Sequence, residues 1–263
     1  MIAHLERGLL DAAGGLRQRD LWVTLGWQDI RQRYRRSVLG PFWVTLSMAV
    51  MTASMGVLYS QLFGQSLAEY LPFLTIGLVM WGFLSSLVTD GCQAFIAAEA
   101  MIKQVRMPLS VHVWRPLWRN LIILGHNAVV VVLVLVLFRR VPHWQVALLP
   151  VALALLVANG WWIGAVLGAL SARFRDIPQL AGSLLQVLFF VTPVIWHTSL
   201  LRDRTWLVDT NPAYHMIEIV RAPLLGEPAS ALSWAYVAAF TAGGLVVALL
   251  LLARFRGRIA YWI

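Results

Sequence analysis

Six times in 263 residues the chain passes through an apolar run about 20 residues long. The runs are roughly Phe42–Phe63, Leu71–Thr89, Leu121–Phe138, Val146–Leu170, Leu180–Trp196 and Leu232–Ala253. About 20 apolar residues in an α-helix cross the ~30 Å hydrocarbon layer of a bilayer. Lipid offers no partner to a free backbone N–H or C=O, so these runs must close their hydrogen bonds within helices. The expected fold is an all-α integral membrane protein with six transmembrane helices. Charged residues make up 13% of the chain, against about 25% in soluble domains.

Orientation follows from where Lys and Arg fall. Arg7, Arg17, Arg19, Arg31, Arg33, Arg35 and Arg36 precede the first run. Lys103, Arg106, Arg115 and Arg119 precede the third, Arg173 and Arg175 the fifth, and Arg254, Arg256 and Arg258 follow the last. These share one side of a six-span topology. Arg139, Arg140, Arg202, Arg204 and Arg221 fall on the other. Both termini are therefore expected in the cytoplasm. The expected division is a cytoplasmic N-terminus over 1–41, a transmembrane domain over 42–253 and a cytoplasmic tail over 254–263. No signal-peptide pattern opens the chain, because charges interrupt the first 20 residues.

The segment WQDIRQRYRRSVLGPFW, residues 27–43, places four arginines within six residues. With a sequence pI near 10.8 it raises the question of nucleic acid. The larger apolar residues from Val23 on fall at 23, 27, 30, 34 and 38, one narrow helical face. That pattern predicts an amphipathic helix lying in the membrane interface, with basic side chains near lipid phosphates. Gly40-Pro41 then breaks the helix before the first span. Membrane lipid, and not nucleic acid, is the expected neighbour. Near the end of the fifth run, Pro193 suggests a kink or a re-entrant break, or else marks the simple end of the span. NPAYHMIEIVRAPLL, residues 211–225, predicts a short helix at the outer surface.

The chain carries no engine of its own. HExxH, GxSxG and CxxC are absent, and a P-loop needs Gly-Lys-Ser/Thr. The one lysine, Lys103, lies between Ile102 and Gln104. No catalytic residue, metal site or cofactor is expected. The lone Cys92 allows no internal disulfide. His126 is the one ionisable residue inside the runs and reads as an interhelical hydrogen bond in preference to a proton relay. Asp90, at a span end, reads as solvated.

At this point the motifs resemble a known family. RYRRSVLGPFW followed by YSQLFG is similar to the opening of the membrane subunits of type-2 ABC exporters for polysaccharides. AEAMIKQVRMPLSVHVWRPLWRN, SARFRDIPQL, FFVTPVIW and NPAYHMIEIVRAPLLG continue the likeness, from about residue 20 to the end. The combination looks most like the O-antigen and lipopolysaccharide-export branch, with capsule and teichoic acid exporters as close relatives.

The resemblance implies a homodimer of six-span subunits, short gate helices on the outer side after span five, and two separate P-loop ATPase subunits that hold ATP and magnesium. It implies a lipid-linked polysaccharide, carried on undecaprenyl pyrophosphate, as cargo across the bacterial inner membrane. Glu99, Lys103 and Arg106, with Arg173, Arg175 and Asp176, match the loops that meet the ATPase. Trp27, Arg31, Arg33, Tyr34, Arg35 and Arg36 match the interfacial helix, where arginines suit a pyrophosphate. A sugar polymer needs a polar or aromatic path, since hydroxyl groups are costly to bury without partners. Trp81, Trp161, Trp162, Trp196, Trp206 and Tyr214 are candidates for it, and an interfacial aromatic belt is the plainer role for each. The competing reading is a type-2 exporter of a small hydrophobic drug or lipid.

Overall fold

The computed structural model describes residues 2–35, 37, 39–40, 42–201 and 206–263, of which 2–7 and 201 are described by backbone only. Arg36, Val38 and Pro41, and with Pro41 the expected break before the first span, lie outside the described residues. The described chain is helical throughout. In order come α1 (Ile2–Arg17), α2 (Arg19–Arg33), α3 (Phe42–Leu62), α4 (Leu67–Gln93), α5 (Glu99–Gln104) and α6 (Ser110–Leu137). Then follow α7 (Leu149–Arg173), α8 (Ile177–Val191), the single turn α9 (Trp206–Asp209), α10 (Pro212–Leu225) and α11 (Ala231–Trp262).

Five of these segments are long and apolar enough to cross a membrane: α3, α4, α6, α7 with the 3-10 turn before it, and α11. The expected span Leu180–Trp196 differs. It becomes α8, 15 residues long and ended at Val191. At 1.5 Å per residue that is about 22 Å, short of the ~30 Å of hydrocarbon. Pro193 does not kink the helix: α8 ends before it and the chain turns at Thr192–Val194, as both a break and a simple span end allow. α11 runs through residue 253 without a break, so 254–262 are its last turns.

α4 is the hub, most of its apolar length buried, and it packs on α3, α6, α7, α8 and α10. Small residues make the close contacts, as they must where lipid supplies no hydrophobic drive between helices. A Cβ on Gly91 would stand 2.9 Å from the Cα of Gly164 on α7. α3 turns Thr52, Gly56 and Ser60 inward, one small residue per turn, and leaves most of the rest exposed. Between α7 and α11 the fully buried Asn159 donates from Nδ2 to Thr241 Oγ1 (2.7 Å) and accepts from Trp162 Nε1 (2.8 Å).

Two expectations change here. The His126 ring bonds within its own helix, Nδ1 to the carbonyl of Ile122 one turn back (2.8 Å), and the interhelical bond at this residue runs through its backbone carbonyl, which accepts from Thr45 Oγ1 of α3 (3.2 Å). α10 does not lie on a surface. His215, Met216, Ile217, Ile219, Val220 and Arg221 are all buried, packed among α4, α7 and α11. Asn211 starts it by accepting from the N–H groups of Ala213 and Tyr214, and Gly226 ends it at φ +93°. A Cβ there would also sit 2.8 Å from the carbonyl oxygen of Val141.

Candidate functional site

One end of the bundle gathers most of the charge. α2 packs against the start of α6, and the face it uses is not the apolar stripe expected to meet lipid, though the two share Ile30. Trp22, Gly26 and Ile30 turn inward, while Trp27 is 49% exposed. Trp22 stacks on Trp114 (5.5 Å between centroids) and meets Trp118 edge-on (5.9 Å). Gly26 favours this close approach, since a Cβ would stand 3.0 Å from the Arg115 carbonyl oxygen. Counting only large apolar residues hid a face built on a glycine. Arg31, Arg33 and Arg35 are exposed, and Tyr34 is half-buried just past the helix end.

The acid beside that face ties three helices together. Arg115 grips Asp29 through two N–H groups, Nε to Oδ2 at 2.9 Å and Nη2 to Oδ1. Arg119 reaches Asp90 at 2.7 Å and Asp29 at 3.5 Å. Asp90 is therefore a partner in a network and not a solvated span end. The four residues, with His112, line a cavity of about 200 Å³ between α2, α4 and α6. Two carboxylates balance two guanidinium groups, so the cluster fastens α2 to the spans and offers no surplus charge to an anion. A carboxylate three residues beyond Gly26, facing Arg–x–x–x–Arg on one turn of α6, was the signal in the sequence.

The expected coupling loops meet at this same end. Lys103 Nζ bonds Glu99 Oε1 at 2.7 Å across one turn of α5. That bond, and then the lysine charge, hold the exposed Glu99 carboxyl below the usual carboxylate range, and Arg175 adds to the effect. Arg175 thus acts on α5 from the 174–176 turn. Arg106, Arg173, Arg175 and Asp176 are exposed, and Arg173 also lies 5.2 Å from the Trp262 ring of α11.

The six aromatic candidates do not form one line. Trp81 packs with Phe189 (5.5 Å) and lines a cavity of about 410 Å³ with Met48, Met51, Gln186 and Phe190. Trp196 bonds the Phe190 carbonyl (3.0 Å) near the end of α8. Trp161 and Trp162 pack inside the bundle, Trp162 against Gly244 of α11. Trp206 is exposed, and Tyr214 lies half-buried on α10, 5.1 Å from His215. What the aromatics missed is a polar row on α8. Gln179, Ser183 and Gln186 are exposed at i, i+4 and i+7, opposite the buried Ala181. The period was readable within an otherwise apolar helix.

At the far end, the turn after α8 is held from three sides. Arg221 Nη1 donates to the Pro193 carbonyl (2.7 Å) and Nη2 to Glu218 (2.9 Å), and its guanidinium lies 4.2 Å over the Phe73 ring. Tyr70 Oη donates to the Ile195 carbonyl (2.6 Å), and Asn211 Nδ2 to Thr192 Oγ1 (2.9 Å). His197 stacks on Phe73, with ring centroids 3.7 Å apart.

A bundle of long apolar helices, with charge gathered at one end and a pinned turn at the other, defines the class as a polytopic membrane protein. The family model described as ABC-2 type transporter matches residues 20–225, and the chain belongs to that family. Within it, the chain is similar to the O-antigen export system permease protein RfbA of Myxococcus xanthus, 25% identical over 207 residues, which are 78% of this chain and 80% of that protein. It is also similar to the protein of the same name from Klebsiella pneumoniae, 25% identical over 204 residues, 75% and 77% of the two chains. It is thus a permease-type membrane protein with O-antigen export permeases among its relatives.

Proposed function

We propose that two copies of this chain form the channel through which a lipid-linked polysaccharide leaves the cytoplasm. The cargo is an O-antigen-type polymer on undecaprenyl pyrophosphate. Two P-loop ATPase subunits, which hold ATP and magnesium, drive the cycle. The observation that carries this reading is the exposed polar row Gln179, Ser183 and Gln186 along α8, whose Gln186 lines one cavity with Trp81. A small hydrophobic cargo has no use for such a row, whereas a hydroxyl-rich polymer needs one. The rest of α8 and α3 carry exposed apolar residues that a second copy would cover. The likeness to O-antigen export permeases points the same way.

In this reading the charged end faces the cytoplasm, with both termini, and the turn at Pro193 faces outward in the bacterial inner membrane. The ATPase docks on α5 and the 174–176 turn. Closure of its nucleotide sites pulls those loops together and shifts the population of the channel toward its open form. α2 lies at the membrane surface, where Arg31, Arg33 and Arg35 meet lipid phosphate or the carrier's pyrophosphate. Arg33→Glu with Arg35→Glu tests that role, and wild-type export from the double variant leaves only anchoring.

The test of the whole reading is purification with a P-loop partner and assay of ATP hydrolysis in lipid. Stimulation by a lipid-linked glycan is expected. Stimulation by hydrophobic drugs alone, or failure to purify with any P-loop protein, refutes it.

A further inference from the structure

α1 and the last turns of α11 lie outside the segment that the family model matches, and they brace both loops at the charged end. Asp11 of α1 is the centre of the brace. Its side chain is fully buried. One carboxylate oxygen accepts from the N–H of Leu109 (3.1 Å) and the other from the N–H of Ser110 (3.0 Å). Ser110 Oγ donates back to the Asp11 carbonyl (2.6 Å). Arg256 of α11 meets the same carboxylate at 2.9 Å.

α6 begins at Ser110 with no cap of its own, because the residue before it is Leu109. Asp11 thus serves as the N-cap of α6 from another helix, and its charge suits the positive end of that helix dipole. A buried carboxylate is tolerable here because two N–H groups and one guanidinium satisfy it. Glycines bring the helices close enough: a Cβ on Gly14 would stand 3.2 Å from Pro108, and one on Gly8 3.0 Å from the α11 backbone. α11 also touches α5, and its Trp262 lies under Arg173.

The loop carrying Glu99, Lys103 and Arg106 is therefore tied down at residues 109–110, where it enters α6. We infer that Asp11 and Arg256 are positioning residues that make this loop push on α6 when the ATPase moves it. This rests on the proposed reading, in which the ATPase docks at this end. If the brace were absent, loop motion would be absorbed at the unheld start of α6, and hydrolysis would continue without export.

The experiment compares wild type, Asp11→Asn, Arg256→Gln, Arg256→Lys and the surface control Asp20→Asn. The first measurement is hydrogen exchange of the permease alone in lipid. In Asp11→Asn and Arg256→Gln the amides of 99–110 should exchange about tenfold faster, the scale of one lost charge-assisted hydrogen bond, while the interior of α6 stays protected. Asp20→Asn should match wild type, and Arg256→Lys should recover part of the protection. The second measurement is glycan exported per ATP hydrolysed in the complex with its ATPase, which should fall about tenfold in the same two variants at retained hydrolysis. Unchanged exchange over 99–110 overturns the brace, even for a chain with no ATPase partner. Faster exchange with an unchanged export ratio overturns the positioning role. If Asp11→Asn does not assemble, the two Arg256 variants decide between the same outcomes.

Discussion

Asp29→Asn should loosen α2 while leaving the spans folded. The wild-type carboxylate takes two N–H bonds from Arg115 and a longer one from Arg119, with only 15% of its side chain exposed. Asparagine keeps one acceptor oxygen and loses the charge. Removing one partner of a buried pair costs about 3–5 kcal/mol. The cavity beside the pair and the retained oxygen reduce that to about 2 kcal/mol, within the range of one or two charged hydrogen bonds. α2 keeps the Trp22 stacks, about 0.5–1.5 kcal/mol each, and the burial of Ile30, about 1.5–3 kcal/mol. It should therefore open more often without detaching. About 2 kcal/mol raises the opening constant about thirtyfold. Hydrogen exchange in lipid reads it directly, as a loss of protection of that size over residues 20–33 with α4 and α6 unchanged. The double variant with Arg115→Gln should cost less than the sum of the singles. Exchange over 20–33 identical to wild type, or strictly additive costs, would refute the tether.

Three further outcomes follow from other contacts. Arg221→Ala should lower the thermal unfolding temperature in detergent by an amount matching about 3–5 kcal/mol, since it strands Glu218 and the Pro193 carbonyl. Arg221→Lys should not rescue it, because a lysine cannot both span these partners and stack on Phe73. Asn159→Leu, which breaks the links to Thr241 and Trp162, should cost about 0.6–2 kcal/mol in the same assay. The Glu99–Lys103 pair should persist as pH falls through the ordinary carboxylate range. A lowered carboxyl pKa keeps its contribution above the unfolded value and loses it only as pH drops through the folded one, which carboxylate titration by NMR of labelled Glu99 can follow.

The long helices were legible because lipid forces a simple code: an apolar run of sufficient length must be helical. What that code does not contain is which face of a helix meets its neighbour. The face of α2 that packs on α6 was not legible because Gly26 and Asp29 carry no hydrophobic signal, yet one permits contact and the other fastens it. Asp90 looked solvated because its partner Arg119 lies 29 positions on, at the start of another helix. α10 looked like a surface helix because its polar residues Glu218 and Arg221 are satisfied by each other and by a backbone carbonyl while buried or nearly so. The same blindness left Trp161 and Trp162 among the candidates for a cargo path, although both pack inside the bundle, and passed over the polar row on α8. Asp11 carried no readable signal, since capping another helix leaves no local pattern.

The channel proposal meets its most direct test in a strain lacking this chain. The expected result is loss of the long surface glycan, accumulation of lipid-linked polymer on the cytoplasmic side of the inner membrane, and recovery of both by the wild-type chain. A deletion strain that keeps a normal long surface glycan contradicts it.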